Sequence, residues 1–218
     1  LQAADDERIA CLHLKNDEAT VTILFSHGNA EDLGYAQDYL EVLRKLGVAV
    51  FAYDYPGYGH SSGSPSEEGC HQACEVAYEH LVNELNVSPG RIVLFARSLG
   101  GGPSLRLAAE RKVGGVILES CFVSAFRVVT RIPFLPGDKF HNLERMPEVT
   151  APKLFIHGQM DGVVAPWHGE ALFEAASEPK TFHRIEDAGH NNMSSVGGTA
   201  YWEAIGRFCQ GIADSAKE

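Results

Sequence analysis

Ser98 sits in "FARSLGGGP", residues 95–103, between the apolar run "RIVL" and the helix-like "SLRLAAER". A serine at a strand-to-helix turn presents its hydroxyl at a sheet edge, and the following helix aims its dipole and first amides at the same point. Such a turn suits a nucleophile, with the Leu99 amide beside the place where an oxyanion would form. The hydroxyl attacks only if a base takes its proton and a third group orients that base. Of the ten histidines, His13 and His183 fall in strand-like runs and His71 and His80 in a helix-like one. His190, in "DAGHNN" after the last strand-like run, is placed to reach over the sheet edge, with Gly189 allowing a sharp turn. Asp161, in "HGQMDGVV", is favoured as the orienting acid over Asp187, which precedes His190 on what reads as the same loop. The second oxyanion donor is expected from the Asn29 amide in "HGN", where Gly28 lets backbone come close. His27 reads as a structural prop, and Asp54, in the glycine-rich "YDYPGYGHSSG", as a brace for its loop.

The turn departs from G-x-S-x-G at its first position, where Ala96 stands. One methyl can be absorbed by a small backbone shift, and the run Gly100–Gly102 is expected to leave the helix side of the turn open. Ser98 is therefore expected to reach the same geometry.

These residues need elements to hold them. Strand-like runs, "IACLHLK" from Ile9, "TVTILFSHG" from Thr20, "VAVFAYDY" from Val48, "RIVLFARS" from Arg91, "VGGVILES" from Val113, "KLFIHG" from Lys153 and "KTFHRIE" from Lys180, alternate with helix-like stretches. The helical stretches lie near 33–46, 66–86, 99–112, 166–177 and 199–213. Continuous Val/Ile/Leu-rich strands imply burial on both faces, hence a mainly parallel open sheet with helices on both sides and an antiparallel edge among the first two or three strands. In such sheets ligands sit beyond the carboxyl ends of the strands, which is where Asn29, Asp54, Ser98, Asp161 and His190 fall. The 218 residues suit one domain, 1–218, with no internal repeat or linker.

Composition narrows the function classes. A formal net charge of -11 repels phosphate backbones, which argues against nucleic-acid binding, and no apolar run reaches the ~20 residues that span a bilayer. The five cysteines, Cys11, Cys70, Cys74, Cys121 and Cys209, form no C-x-x-C and favour a reducing compartment. Cys70, His71 and Cys74 share a helical turn, but no fourth ligand has a usual spacing, so the cysteines are read as small packed groups and no metal is expected.

At this point "RIACLHLK", "LFSHGNAEDLG", "YDYPGYGHSSGSPSE", "ARSLGGGPS", "HGQMDGVV", "HGEALFE" and "AGHNN" are in view together. Over about Arg8 to Cys209 the chain resembles the α/β-hydrolase-domain depalmitoylases and their broader relatives. The order Ser98, Asp161, His190 is that of α/β-hydrolases. The resemblance implies the α/β-hydrolase fold and a serine hydrolase with that triad, acting on an acylated protein or a small acyl ester or thioester without a cofactor. With the cysteine usage above, the expected location is cytoplasmic. The family's cysteine-rich, lipidated N-terminal segment is not among these residues, so peripheral membrane association would depend on a segment ahead of Leu1.

Between "VILES" and "PKLFIHG" only residues 121–151 are available, too few for a full cap domain, so a minimal cap is expected. Phe122, Ile132, Phe134 and Leu135 are candidates for an apolar substrate rim, or else for packing a helix onto the sheet. A thiolate leaves with less protonation than an alkoxide or amine, so thioesters suit a loosely capped site. The rivals are a general carboxylesterase, a serine peptidase-like enzyme, which would usually carry a propeller, and a non-catalytic module that keeps the hydrolase shell.

Overall fold

Segments such as "TILFS" and "IVLFAR" carry apolar side chains on alternating sides with no polar face, a pattern satisfied only between two helical layers. The computed structural model, which describes residues 1–3, 7–130, 132 and 136–216, builds that arrangement. Seven strands, β1 (Cys11–Leu14), β2 (Thr22–Ser26), β3 (Ala49–Tyr53), β4 (Ile92–Arg97), β5 (Gly115–Glu119), β6 (Lys153–Gly158) and β7 (Lys180–Ile185), form one sheet in the order β1-β3-β2-β4-β5-β6-β7. Only β1 runs antiparallel, paired to β3, so the antiparallel edge is one strand wide.

Side chains alternate across this sheet. In β2, Leu24 joins one core, while Ile23 and Phe25 join the other; each is fully buried, a contribution of roughly 1.5–3 kcal/mol per side chain. The Leu24 side is covered by α2 (Glu67–Glu79), α3 (Gly101–Glu110) and α6 (Trp167–Ala175), and the Phe25 side by α1 (Leu33–Arg44) and α7 (Met193–Ser215). Two short helices, α4 (Ala125–Thr130) and α5 (Asn142–Arg145), lie between β5 and β6. Cys70 and Cys74 occupy the buried face of α2, where burial pushes both thiols up to about 12.

Helix starts follow local chemistry. The Asp32 carboxylate caps α1 by accepting the Tyr35 amide (2.8 Å), and Ser66 caps α2 by accepting the Gly69 amide (2.9 Å), with Glu67 and Glu68 in its first turn. The helical stretch after α2 continues as a π-helical turn, His80–Glu84. The helix expected at 199–213 begins earlier, at Met193, but is broken at Gly198 by a left-handed conformation (φ 51°, ψ -135°).

The glycine run after Ser98 is packed rather than open. A Cβ at Gly100 would lie 2.1 Å from the Ser26 carbonyl oxygen, at Gly101 2.9 Å from the Cys121 sulfur, and at Gly102 2.1 Å from the Phe140 ring. Three missing side chains thus let β2, the β5 end and the cap segment close on the elbow helix. Ala96, by contrast, is simply a buried strand residue in the core.

Gly100→Ala is therefore expected to lower the urea midpoint, a loss of ~1–3 kcal/mol from overpacking against rigid backbone. Gly206→Ala, in α7 where nothing lies within 4 Å of the added methyl, is expected to raise that midpoint, a gain of ~0.4–1 kcal/mol in stability.

Candidate active site

β4 delivers Ser98 to the sheet's carboxyl edge, and the chain then turns through a 3-10 turn, Ser98–Gly100, into α3. Ser98 itself is left-handed, with φ 50°, an unfavourable state for a serine that strand and helix together impose. The contact of Gly100 with the end of β2 sets the His27–Asn29 segment beside the elbow. A buried hydroxyl chain reinforces it: Ser104 Oγ donates to Ser26 Oγ (3.0 Å), which lies 2.7 Å from Tyr53 Oη.

Three of the expected residues meet. His190 Nε2 lies 3.1 Å from Ser98 Oγ, and His190 Nδ1 lies 2.8 Å from Asp161 Oδ2. The carboxylate selects the tautomer by accepting from Nδ1–H, so Nε2 faces the serine as an acceptor. Asp187 is exposed on the His190 loop and is not part of this line.

Asp161 is buried and heavily hydrogen-bonded. Its Oδ1 accepts the Val163 (2.9 Å) and Val164 (2.8 Å) amides, and its Oδ2 accepts Ser120 Oγ (2.8 Å) as well as His190, with His157 Nε2 at 3.5 Å. Burial alone would raise its pKa, but hydrogen bonds from His157 and His190 and from the Val164 amide hold it well below the usual carboxylate range. The two loops are stitched together by backbone: Gln159 N–H donates to the Ile185 carbonyl and Met160 N–H to that of Ala188, both at 2.9 Å. Gly158 permits this approach, since a Cβ there would meet the Ala188 carbonyl oxygen at 2.3 Å.

Of the expected oxyanion donors, Leu99 follows Ser98 in the 3-10 turn and Asn29 follows β2, with the Asn29 Oδ1 accepting the Tyr58 hydroxyl at 2.7 Å. His27 is fully buried, with Nδ1 2.8 Å from the Gly28 carbonyl oxygen, Nε2 3.4 Å from Asp54 Oδ1 and its ring 4.3 Å from that of Tyr55. Asp54 ties two elements, accepting the Leu33 amide at the start of α1 (2.9 Å) and lying 3.4 Å from the His60 amide.

Two of the four expected rim residues fall among the described residues. Phe122 is only 6% exposed and packs into the core beside Phe140, the packing alternative, and Asn142 Nδ2 donates to its carbonyl (2.9 Å). Ile132 is 54% exposed, and Phe134 and Leu135 lie outside the described residues. Among the described residues no three His, Cys, Asp or Glu side chains are grouped to hold a metal ion, and no helix is long and apolar enough to cross a membrane.

Ser120 and His157 were not singled out in the sequence. Ser120 directly follows β5, the strand next to the nucleophile strand, and a polar residue at that carboxyl end was the available signal. His157 lies inside β6, where nothing in the sequence separates it from an ordinary buried histidine.

The alpha/beta hydrolase family model matches residues 23–144. Alpha/beta hydrolase domain-containing protein 17B of Homo sapiens is 36% identical over 206 residues, covering 92% of this chain and 70% of that protein. Among solved structures, the Pyrococcus furiosus esterase Pf2001 superposes with a TM-score of 0.81 at 18% identity, covering 97% of this chain and 90% of that one. The Paleococcus ferrophilus monoacylglycerol lipase does so with a TM-score of 0.75 at 20% identity, covering 94% and 99%. With a family match over more than half its length, a relative matched along most of both chains, and a sheet whose strand ends gather a serine, a histidine and an aspartate, the chain belongs to the alpha/beta hydrolase family.

Proposed function

We propose that the protein is a serine hydrolase that cleaves acyl thioesters or carboxylic esters through a Ser98–His190–Asp161 triad and an acyl-enzyme. The observation that carries it is the continuous line from Ser98 Oγ through His190 (3.1 Å) to Asp161 (2.8 Å) at the carboxyl edge of the sheet.

In the first step Ser98 Oγ attacks the acyl carbon while its proton passes to His190 Nε2. Asp161, anionic at any pH near neutral, holds the ring and stabilises the imidazolium. The negative charge on the former carbonyl oxygen is received by the Leu99 and Asn29 amides, the former at the positive end of the turn leading into α3. The tetrahedral species collapses, the carbon–sulfur or carbon–oxygen bond breaks with its electron pair going to the leaving group, and the proton on His190 passes to that sulfur or oxygen, which returns the imidazole to its neutral form. Water then attacks the acyl carbon while giving a proton to the neutral His190, and the second tetrahedral species breaks its bond to Ser98 Oγ, which takes that proton back as the acid is released.

The substrate class follows from the leaving group and from the resemblance of the motifs to the depalmitoylases. A thiolate needs little help to depart, and the described part of residues 121–151 carries two short helices and a 3-10 turn. An acyl chain presented on a protein or another bulky carrier suits this architecture, with protein depalmitoylation as the specific form.

Ser98→Ala is expected to abolish labelling by a fluorophosphonate probe, and Ser98→Ala or His190→Ala to lower p-nitrophenyl butyrate turnover by ~10³-fold or more, since members of a triad act as a unit. Near-wild-type turnover or labelling in Ser98→Ala would leave a non-catalytic binding module as the better account.

Asp161→Asn keeps the shape but removes the acceptor that selects the histidine tautomer, so kcat is expected to fall by up to ~10⁴-fold, against little change in Asp187→Asn. The opposite ranking, in the same assay, would assign the orienting role to Asp187.

For one acyl chain presented as thioester and as oxygen ester, kcat/KM is expected to be at least as high for the thioester, with a peptide bearing no acyl group left intact. Efficient peptide cleavage, followed by mass spectrometry, would favour a peptidase.

A further inference from the structure

A chain of charged and phenolic side chains lies behind the proposed triad, and no step of the chemistry above uses it. Arg97, the residue before Ser98, places Nη1 3.3 Å from Glu31 Oε1 and Nε 3.3 Å from Glu119 Oε1. The other oxygen of Glu119 accepts a short hydrogen bond from the Tyr201 hydroxyl, which lies 2.6 Å from that of Tyr39. The other oxygen of Glu31 accepts the Gly28 amide at 3.0 Å. The Arg97, Glu31 and Glu119 side chains are 12%, 11% and 3% exposed, so solvent screens their interactions little.

Each member stands next to a different part of the site. Glu31 holds Gly28, whose neighbour Asn29 is the expected oxyanion donor. Arg97 leads directly into the strained Ser98. Glu119 leads directly into Ser120, itself left-handed at φ 47° and bonded to Asp161 Oδ2. The loop after Asn29 carries a further left-handed residue, Ala30 at φ 59°. Three backbone segments in unfavourable conformations are thus joined by one guanidinium. A buried pair of this kind seldom adds net stability over apolar side chains of the same size, because desolvation offsets the attraction. What a planar fork between two carboxylates does supply is fixed geometry.

We propose that Arg97 is a positioning residue: by gripping Glu31 and Glu119 at once it holds the Gly28–Asn29 segment and the Glu119–Ser120 strand end in register with Ser98. The oxyanion donor and the orienting acid are thereby set against the nucleophile through a single side chain. The proposal rests on the triad and oxyanion assignments above.

The test compares wild type with Arg97→Met, Arg97→Lys and Glu31→Gln. Active sites are titrated with a fluorophosphonate, so that kcat is expressed per reactive serine, and butylboronic acid, which adds to a serine oxygen as a tetrahedral species, probes the oxyanion site. Arg97→Met and Glu31→Gln are expected to lower kcat per titrated site at least ~10-fold with KM changed less than ~3-fold, since a small misplacement of catalytic groups can cost ~10²-fold. Boronic acid affinity is expected to fall in parallel, and Arg97→Lys, which can reach only one carboxylate, to lie between. Glu31→Gln keeps shape and volume and decides the matter if Arg97→Met fails to fold. Unchanged kcat per titrated site and unchanged boronic acid affinity, whatever happens to thermal stability, would reduce the network to a structural role. Failure of the triad itself would appear separately, as labelling or turnover that survives Ser98→Ala.

Discussion

A carboxylate at the end of a buried sheet must either take up a proton or find donors for its lone pairs. Asp161 finds them in the Val163 and Val164 amides, the Ser120 hydroxyl and the His190 ring. These contacts come from three segments: the loop after β6, the residue after β5, and the loop after β7. Satisfying one charge therefore fixes the relative position of three strand ends, and with them the histidine that faces Ser98. The same interaction couples the site to stability. The Asp161 carboxyl is held below its ordinary range, so its contribution is fully present above the unfolded pKa of ~3.9 and is lost as pH falls below that value toward the folded one.

The rest of the architecture serves close approach at one edge. Parallel strands end together, which is why loops distant in sequence can converge there. Gly100 removes the side chain that would keep the end of β2 from the elbow, and Gly158 does the same between β6 and the Ala188–Gly189 backbone. The cost appears as left-handed conformations at Ser98, Ser120 and Ala30, none of them glycine. Strain of this kind, of order 1–3 kcal/mol per residue, persists only where surrounding contacts over-determine it. The well-packed double core and the hydrogen bonds around Asp161 do so.

Dryness matters as much as distance. Tyr53, Tyr55 and Tyr201 are fully buried beneath the edge, and burial raises their hydroxyl pKa values well above the ordinary one, so they act as neutral hydrogen-bonding groups. Glu119, in the same surroundings, has its pKa raised by burial, an effect that Arg97 and the Tyr201 hydroxyl oppose. Burial of these groups away from solvent lowers the local dielectric, which strengthens the charge interactions among them.

Ser98, Asp161 and His190 stand out in the sequence because each follows a run of strand length, and a parallel sheet brings such ends to one edge whatever the details of packing. The order of strands, the single antiparallel edge and the break of α7 at Gly198 depend on how the layers close, which periodicity does not encode. The glycine run after Ser98 illustrates the limit: its composition suggested open space, whereas Ser26, Cys121 and Phe140, distant in sequence, fill it. Phe122, for which a rim and a packing role were both open, packs in the core beside Phe140. The contacts of Ser120 with Asp161 and of Arg97 with Glu31 and Glu119 were decided in the same way. Local sequence specifies which residues stand at strand ends, because side-chain period and turn chemistry act over a few residues. Which of those residues touch was decided only by the folded chain, since contacts between segments tens of residues apart arise when the two cores pack and every buried charge must find a partner.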